Sequence, residues 1–121
     1  HTDFDFNAGM LTCLDNLEHV HCCIGTHNET SCKILVEEME KRNIPHNHEN
    51  IYFAQLLGMS DNISYNLASV GYNVAKYVPY GPVESVMPYL FRRAEENSSI
   101  AGQTSREFTL LLNEVKRRKN A

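Results

Sequence analysis

The chain has 121 residues, of which 42% are hydrophobic and 21% charged, and its formal net charge is −4. This is about one domain of ordinary globular composition, which excludes an intrinsically disordered chain. The acidic balance argues against nucleic acid as a partner, and no run of about 18 apolar residues is present to span a membrane.

The opening residues HTDFDFNAGM have neither the basic start nor the apolar run of a secretory signal, and no initiator Met precedes them. The chain is therefore expected to be a processed product or a piece of a longer one. A first helix is expected over residues 7–17, where Met10, Leu11, Leu14 and Leu17 recur at helical spacing. HVHCCIG, residues 19–25, is short and apolar and reads as a first buried strand. The following THNET offers capping residues, and CKILVEEMEKRN continues as an amphipathic helix that turns Ile34, Leu35 and Met39 inward and stops before Pro45. IYFAQLL, residues 51–57, reads as a second strand closed by Gly58. Ser60 or Asp61 then caps a short helix to about Val70, and Gly71 ends it. NVAKYV, residues 73–78, is the third strand. Pro82 suits the first position of a helix reaching about Asn97. SSIAGQT reads as a loop, and a last helix follows from about Ser105, with Phe108, Leu111, Leu112 and Val115 on one stripe.

Four cysteines, Cys13, Cys22, Cys23 and Cys32, fit no regular disulfide frame and read as small buried residues of a reduced compartment. Cys22 and Cys23, adjacent in a strand, point to opposite faces. His19, His21 and Cys23 would share one strand face, with His27 just beyond, but the spacing is not that of a zinc site, and no metal is expected. The three N-x-S/T triplets, at Asn28, Asn62 and Asn97, are at chance level, and the basic run Lys116 to Lys119 reads as a solvated end.

Strands alternating with helices imply a parallel sheet, with ligands beyond the carboxyl ends of the strands. Two architectures fit: a small three-stranded open α/β unit, or a part of a β/α barrel, which needs about 250 residues for eight units. The common nucleotide fingerprints are absent from the strand ends.

The helix carrying MPYLFRRAEEN sharpens the question of function. Val83, Val86, Met87, Leu90 and Ala94 form its apolar stripe and are expected to be buried, and Pro88 is expected to kink it near Glu84. Tyr89, Arg92, Arg93 and Glu96 share an adjacent flank, at i, i+3, i+4 and i+7. Periodicity alone favours an ordinary solvated surface with an Arg92–Glu96 pair, worth only about 0.3–0.5 kcal/mol. The alternative is a site for a small carboxylate, which guanidinium forks match bidentately and a Lys does not. Tyr77, ending the preceding strand, would stand above that site.

These residues carry a resemblance. KYVPYGPVESVMPYLFRRAEENSS resembles the last strand and helix of the FAD-dependent proline dehydrogenase family, and YFAQLLGMSDNISYNLASVGYNVAKYVPYG the segment before it. THNE is similar to the family's flavin-contacting turn. The likeness runs from about Ile24 to Lys119, and the first twenty residues match poorly. It implies an α/β fold that is the last three βα units of a distorted (β/α)8 barrel, with parallel strands at about 19–25, 51–57 and 73–78. The whole chain, 1–121, would be one partial domain, and 105–119 its closing helix.

The implied reaction is oxidation of L-proline to Δ1-pyrroline-5-carboxylate, with electrons passing to a membrane quinone. Carried over by position, Arg92 and Arg93 bind the proline carboxylate, Tyr77 and Tyr89 pack around the ring, and Leu56 lines the pocket. Thr26, His27 and Asn28 contact FAD, and Glu96 falls near the flavin. Tyr77 favours proline over hydroxyproline, whose oxidising relatives tend to carry a Ser there. The family's catalytic Lys, an Asp near it and further flavin-binding Arg residues lie on earlier strands, so no catalytic residue is assigned here and the chain alone is expected to be inactive. The implied partners are proline, a quinone and the missing N-terminal barrel segment. The implied location is mitochondrial, at the inner membrane or matrix side, for a eukaryotic chain and membrane-associated or cytoplasmic for a bacterial one, with peripheral membrane association of the whole enzyme. A hydroxyproline dehydrogenase and a truncated, non-catalytic paralogue acting as an interaction protein are the competing readings.

Overall fold

The computed structural model describes residues 1–99 and 101–119, with side chains 96–107 outside the description. The chain divides into two compact units, His1–Val78 and Pro79–Ala121.

The first unit holds α1 (Thr2–Asp15), β1 (Cys22–Gly25), α2 (Glu29–Lys41), β2 (Ile51–Leu56), α3 (Asp61–Ser69) and β3 (Val74–Tyr77). The strands form one parallel sheet in the order β1-β2-β3, so the alternating α/β reading holds. Cys22 and Ile24, Ile51 and Phe53, and Val74 all turn to the face where α1, α2 and α3 bring Met10, Leu14, Cys32, Leu35, Met39, Ile63 and Leu67. Because successive strand residues alternate faces, this parity puts the core on one side of the sheet. Phe53, Leu35 and Met39 are wholly enclosed in it. Burial pushes the Cys32 thiol up to about 11, with Glu29 adding to the effect. Burial, and then the neighbouring Cys13, raise Cys22 as well.

The helix ends follow local chemistry. Asn28 caps α2, its side-chain oxygen accepting from the backbone N–H of Thr30 and Ser31. Both α2 and α3 close with paired backbone bonds around a left-handed residue. These are Asn43 N to Glu40 O with Ile44 N to Met39 O, and Gly71 N to Ala68 O with Tyr72 N to Leu67 O. The expected C-terminal role of Gly71 is thus observed, and Asn43 is a second, unexpected instance.

Three boundaries differ from expectation. The first helix begins at Thr2 and ends at Asp15, although Leu17 still packs on the core. The first strand is shorter than 19–25: His19 sits in a turn, its N–H bonded to Asn16 O, so His19 and His21 do not share a strand face with Cys23. Cys22 and Cys23 take the opposite faces expected of neighbours, but Cys23, expected to be buried, is exposed because its face is the one away from the core.

The second unit holds α4 (Val83–Ser99) and α5 (Ala101–Lys119). Pro82 precedes α4 rather than opening it, and its carbonyl accepts from Ser85 and Val86. Pro88 lies inside α4, where it supplies no N–H. Residues 98–99 and 101–104 are helical rather than a loop; Ser, Thr and Gln tolerate a helix, and one Gly costs only about 1 kcal/mol. The expected buried stripe of α4 is largely exposed, with Val83 at 73% and Val86 half-buried. Periodicity identifies an apolar face but not the surface that covers it. In α5, Glu114 is held by Arg117 at 2.7 Å and Arg118 at 2.8 Å, which draws its carboxyl down to about 2.

Candidate functional site

The sheet face opposite the core carries Cys23 and Tyr52, then Gly25, Ala54 and Ala75, then Leu56 and Tyr77, each set paired across the strands in register. Parallel sheets are normally covered on both faces, yet here Tyr52 is 43% and Tyr77 52% exposed. The middle row, Gly25–Ala54–Ala75, is small across all three strands. The next row toward the C-terminal ends of the strands is Leu56 with Tyr77. Leu56 and Tyr77, placed together from the sequence, are thus register partners.

Beyond β1, the turn Thr26-His27-Asn28 is held from several sides. Thr26 N–H donates to Ala54 O at 3.2 Å, and Thr26 Oγ1 accepts from Asn28 N at 3.0 Å. His27 Nδ1 lies 2.9 Å from Ser60 Oγ. Ser60 is buried and left-handed at φ 51°, and as the residue preceding α3 it makes no side-chain cap bond. Its hydroxyl bonds His27 instead. The oxygen of Asn28 is engaged by the α2 cap.

Beneath this turn is a polar pair that sequence reasoning passed over. Gln55, 2% exposed, donates from Nε2 to Thr26 O at 3.2 Å and accepts at Oε1 from Ser64 Oγ at 2.9 Å. Ser64 Oγ also lies 3.2 Å from Ser60 O. A polar residue at the buried parity of IYFAQLL was the available signal. Lys76 was also missed: its Nζ donates to Met59 O at 2.7 Å and pairs with Asp61 at 2.8 Å, tying the end of β3 to the loop after β2.

In the second unit, the Arg93 guanidinium carbon lies over the Tyr89 ring, 5.3 Å from its centroid. Both are half-buried, whereas Arg92 is exposed. Glu96 belongs to α4, but its side chain lies outside the described residues. The structure therefore joins Leu56 with Tyr77 and Thr26 with His27 in one unit, and Tyr89 with Arg93 in the other. Among the described residues no three His, Cys, Asp or Glu side chains group as metal ligands, and no helix is long and apolar enough to cross a membrane.

Residues 1–106 match the family model described as "Proline dehydrogenase". The chain is 44% identical over 119 residues to "Proline dehydrogenase 1, mitochondrial" of Homo sapiens, covering 93% of this chain and 20% of that one. It is 40% identical over 109 residues to the Drosophila melanogaster protein of the same name, covering 90% and 16%. With "Hydroxyproline dehydrogenase" of Xenopus laevis it shares 44% over 95 residues, covering 78% and 20%. The chain thus spans about a fifth of the length of these relatives. No solved structure matches it.

Proposed function

This chain belongs to the proline dehydrogenase family, and from that premise we propose that it forms the last three βα units of a distorted (β/α)8 barrel and one side of an FAD-dependent site. The reaction proposed is oxidation of L-proline to Δ1-pyrroline-5-carboxylate, with a quinone as final acceptor and, as in the mitochondrial relatives, a mitochondrial location. The single structural observation that supports it most is the uncovered, in-register face that ends in Leu56 and Tyr77.

That face suits a flat cofactor. The Gly25–Ala54–Ala75 row leaves room where larger side chains would stand. Thr26 Oγ1 accepts from Asn28 N–H, and its own proton is proposed to be donated to an acceptor on the group. A bound FAD would supply the hydride-accepting chemistry that oxidation of the proline ring requires. Every other task assigned here belongs to side chains of this chain. Arg92 and Arg93 hold the substrate carboxylate, which guanidinium forks match bidentately. Tyr77, Tyr89 and Leu56 pack the apolar ring and exclude water. Thr26, His27, Asn28 and Glu96 are assigned to the cofactor, Glu96 on the side of the Arg pair. No residue of this segment is assigned proton transfer.

Catalysis depends on a closed, preorganised site. The isolated chain is therefore expected to purify without stoichiometric flavin and to oxidise no proline, and a bound flavin in its absorbance spectrum overturns that. Co-expression with the barrel segment proposed to precede it restores proline:dye activity. A soluble complex without activity favours the non-catalytic paralogue. In the active assembly, Arg92→Met or Arg93→Met raises KM for proline by about 10- to 100-fold, the worth of a charge-assisted hydrogen bond. The hydroxyproline dehydrogenase relatives support a second reading, and the ratio of kcat/KM for the two substrates decides it.

A further inference from the structure

The turn proposed to hold the cofactor is not anchored by its own residues alone. Thr26 O receives a bond from a side chain that is twenty-nine positions away and almost wholly enclosed, that of Gln55. The same amide accepts from Ser64 on α3, and Ser64 reaches back to the carbonyl of Ser60, whose hydroxyl meets His27. One amide thus links three things: the carbonyl that opens the turn, the first part of α3, and, through Ser60, the ring of the next residue in the turn. A buried amide needs its donor and acceptor both satisfied, so this arrangement has little freedom to drift.

We propose that Gln55 is a positioning residue: it sets the height and orientation of the Thr26-His27 turn over the sheet and thereby the affinity for the flavin. It touches neither cofactor nor substrate and acts through Thr26 and through the Ser64–Ser60–His27 chain. Lys76 does the equivalent for the loop after β2 from the other side, by holding Met59 O and Asp61. Ser60, between them, keeps a left-handed backbone that a non-glycine residue adopts only at a cost, which is consistent with a segment over-determined by its neighbours. The inference rests on the proposed flavin site, and its test separates the two.

The test compares Gln55→Met, which keeps the shape and loses both hydrogen bonds, with Ile63→Val, a core change on α3 outside the polar chain. In the assembled enzyme, Gln55→Met is expected to weaken FAD binding by about tenfold, the scale of leaving buried partners unsatisfied. Ile63→Val is expected to leave that affinity unchanged. In the 121-residue chain, the ring-nitrogen NMR signals of His27 move in Gln55→Met and not in Ile63→Val. Unchanged FAD affinity in a folded Gln55→Met protein overturns the proposal, and so does an equal loss in Ile63→Val. If the assembled wild type takes no flavin, the functional reading falls, and an unmoved His27 signal in Gln55→Met then overturns the positioning role as well.

Discussion

The two units of this chain are stabilised in different ways. In the first, strand parity, three helices and long-range side-chain bonds converge on one core in which Phe53 and Leu35 are fully enclosed. In the second, the interactions described are local: Glu114 with Arg117 and Arg118, and Tyr89 with Arg93, each three or four positions apart. Its apolar side chains, Val83, Phe91, Phe108 and Leu111, stand 60% exposed or more. Burial organises the first unit, and helix periodicity organises the second. An amphipathic pattern can therefore be strong in a segment that contributes little to the core.

The contrast can be broken by mutation. Phe53→Ala should cost about 3–5 kcal/mol in chemical denaturation, since it removes a ring from an enclosed site. A loss near zero would show that the first unit is not the cooperative core. Raising pH sharpens the same point. Cys32 is protonated in both states below its ordinary pKa. Between that value and about 11 the unfolded thiol ionises and the folded one does not. The folded state then holds more protons, so stability falls as pH rises, by about 2–3 kcal/mol across the window. Stability of Cys32→Ala measured over that range should lack this component. All four cysteines lie in the first unit, so the alkaline loss belongs there.

Asn28→Ala should cost about 1 kcal/mol through the α2 cap, and urea titration at neutral pH measures it. At the small end, Leu111→Ala on α5 should change stability by less than about 0.5 kcal/mol, as for exposed sites generally. A loss approaching that of Phe53→Ala would erase the distinction between the units. Glu114→Gln should leave the unfolding midpoint unmoved, because its carboxylate is solvated despite two Arg partners.

Most elements were legible because their signals are local. Met10 and Leu14 at helical spacing, Leu35 and Met39 facing inward, Gly71 closing α3 and the opposed Cys22 and Cys23 are each set by neighbours within a turn or two. The readings that failed were also local ones, extended too far. HVHCCIG is apolar enough for a strand to start at His19, but a backbone turn from Asn16 intervenes. SSIAGQT has the composition of a loop, but no residue in it forbids a helix. The sequence offered the chemistry of the proposed site, through the family resemblance of its residues, but did not show the Gln55–Ser64 support beneath the Thr26 turn.

The sequence by itself determined the order of elements, the parallel character of the sheet and which helix faces are apolar, because these follow from spacings of two to four residues. Only the tertiary structure decided which face of the sheet carries the core of the first unit. It alone brought Gly25, Ala54 and Ala75 into one row, and Gln55 under a turn twenty-nine residues earlier. Strand register and buried hydrogen bonds couple residues that share no local period, so they come into being only when the chain packs.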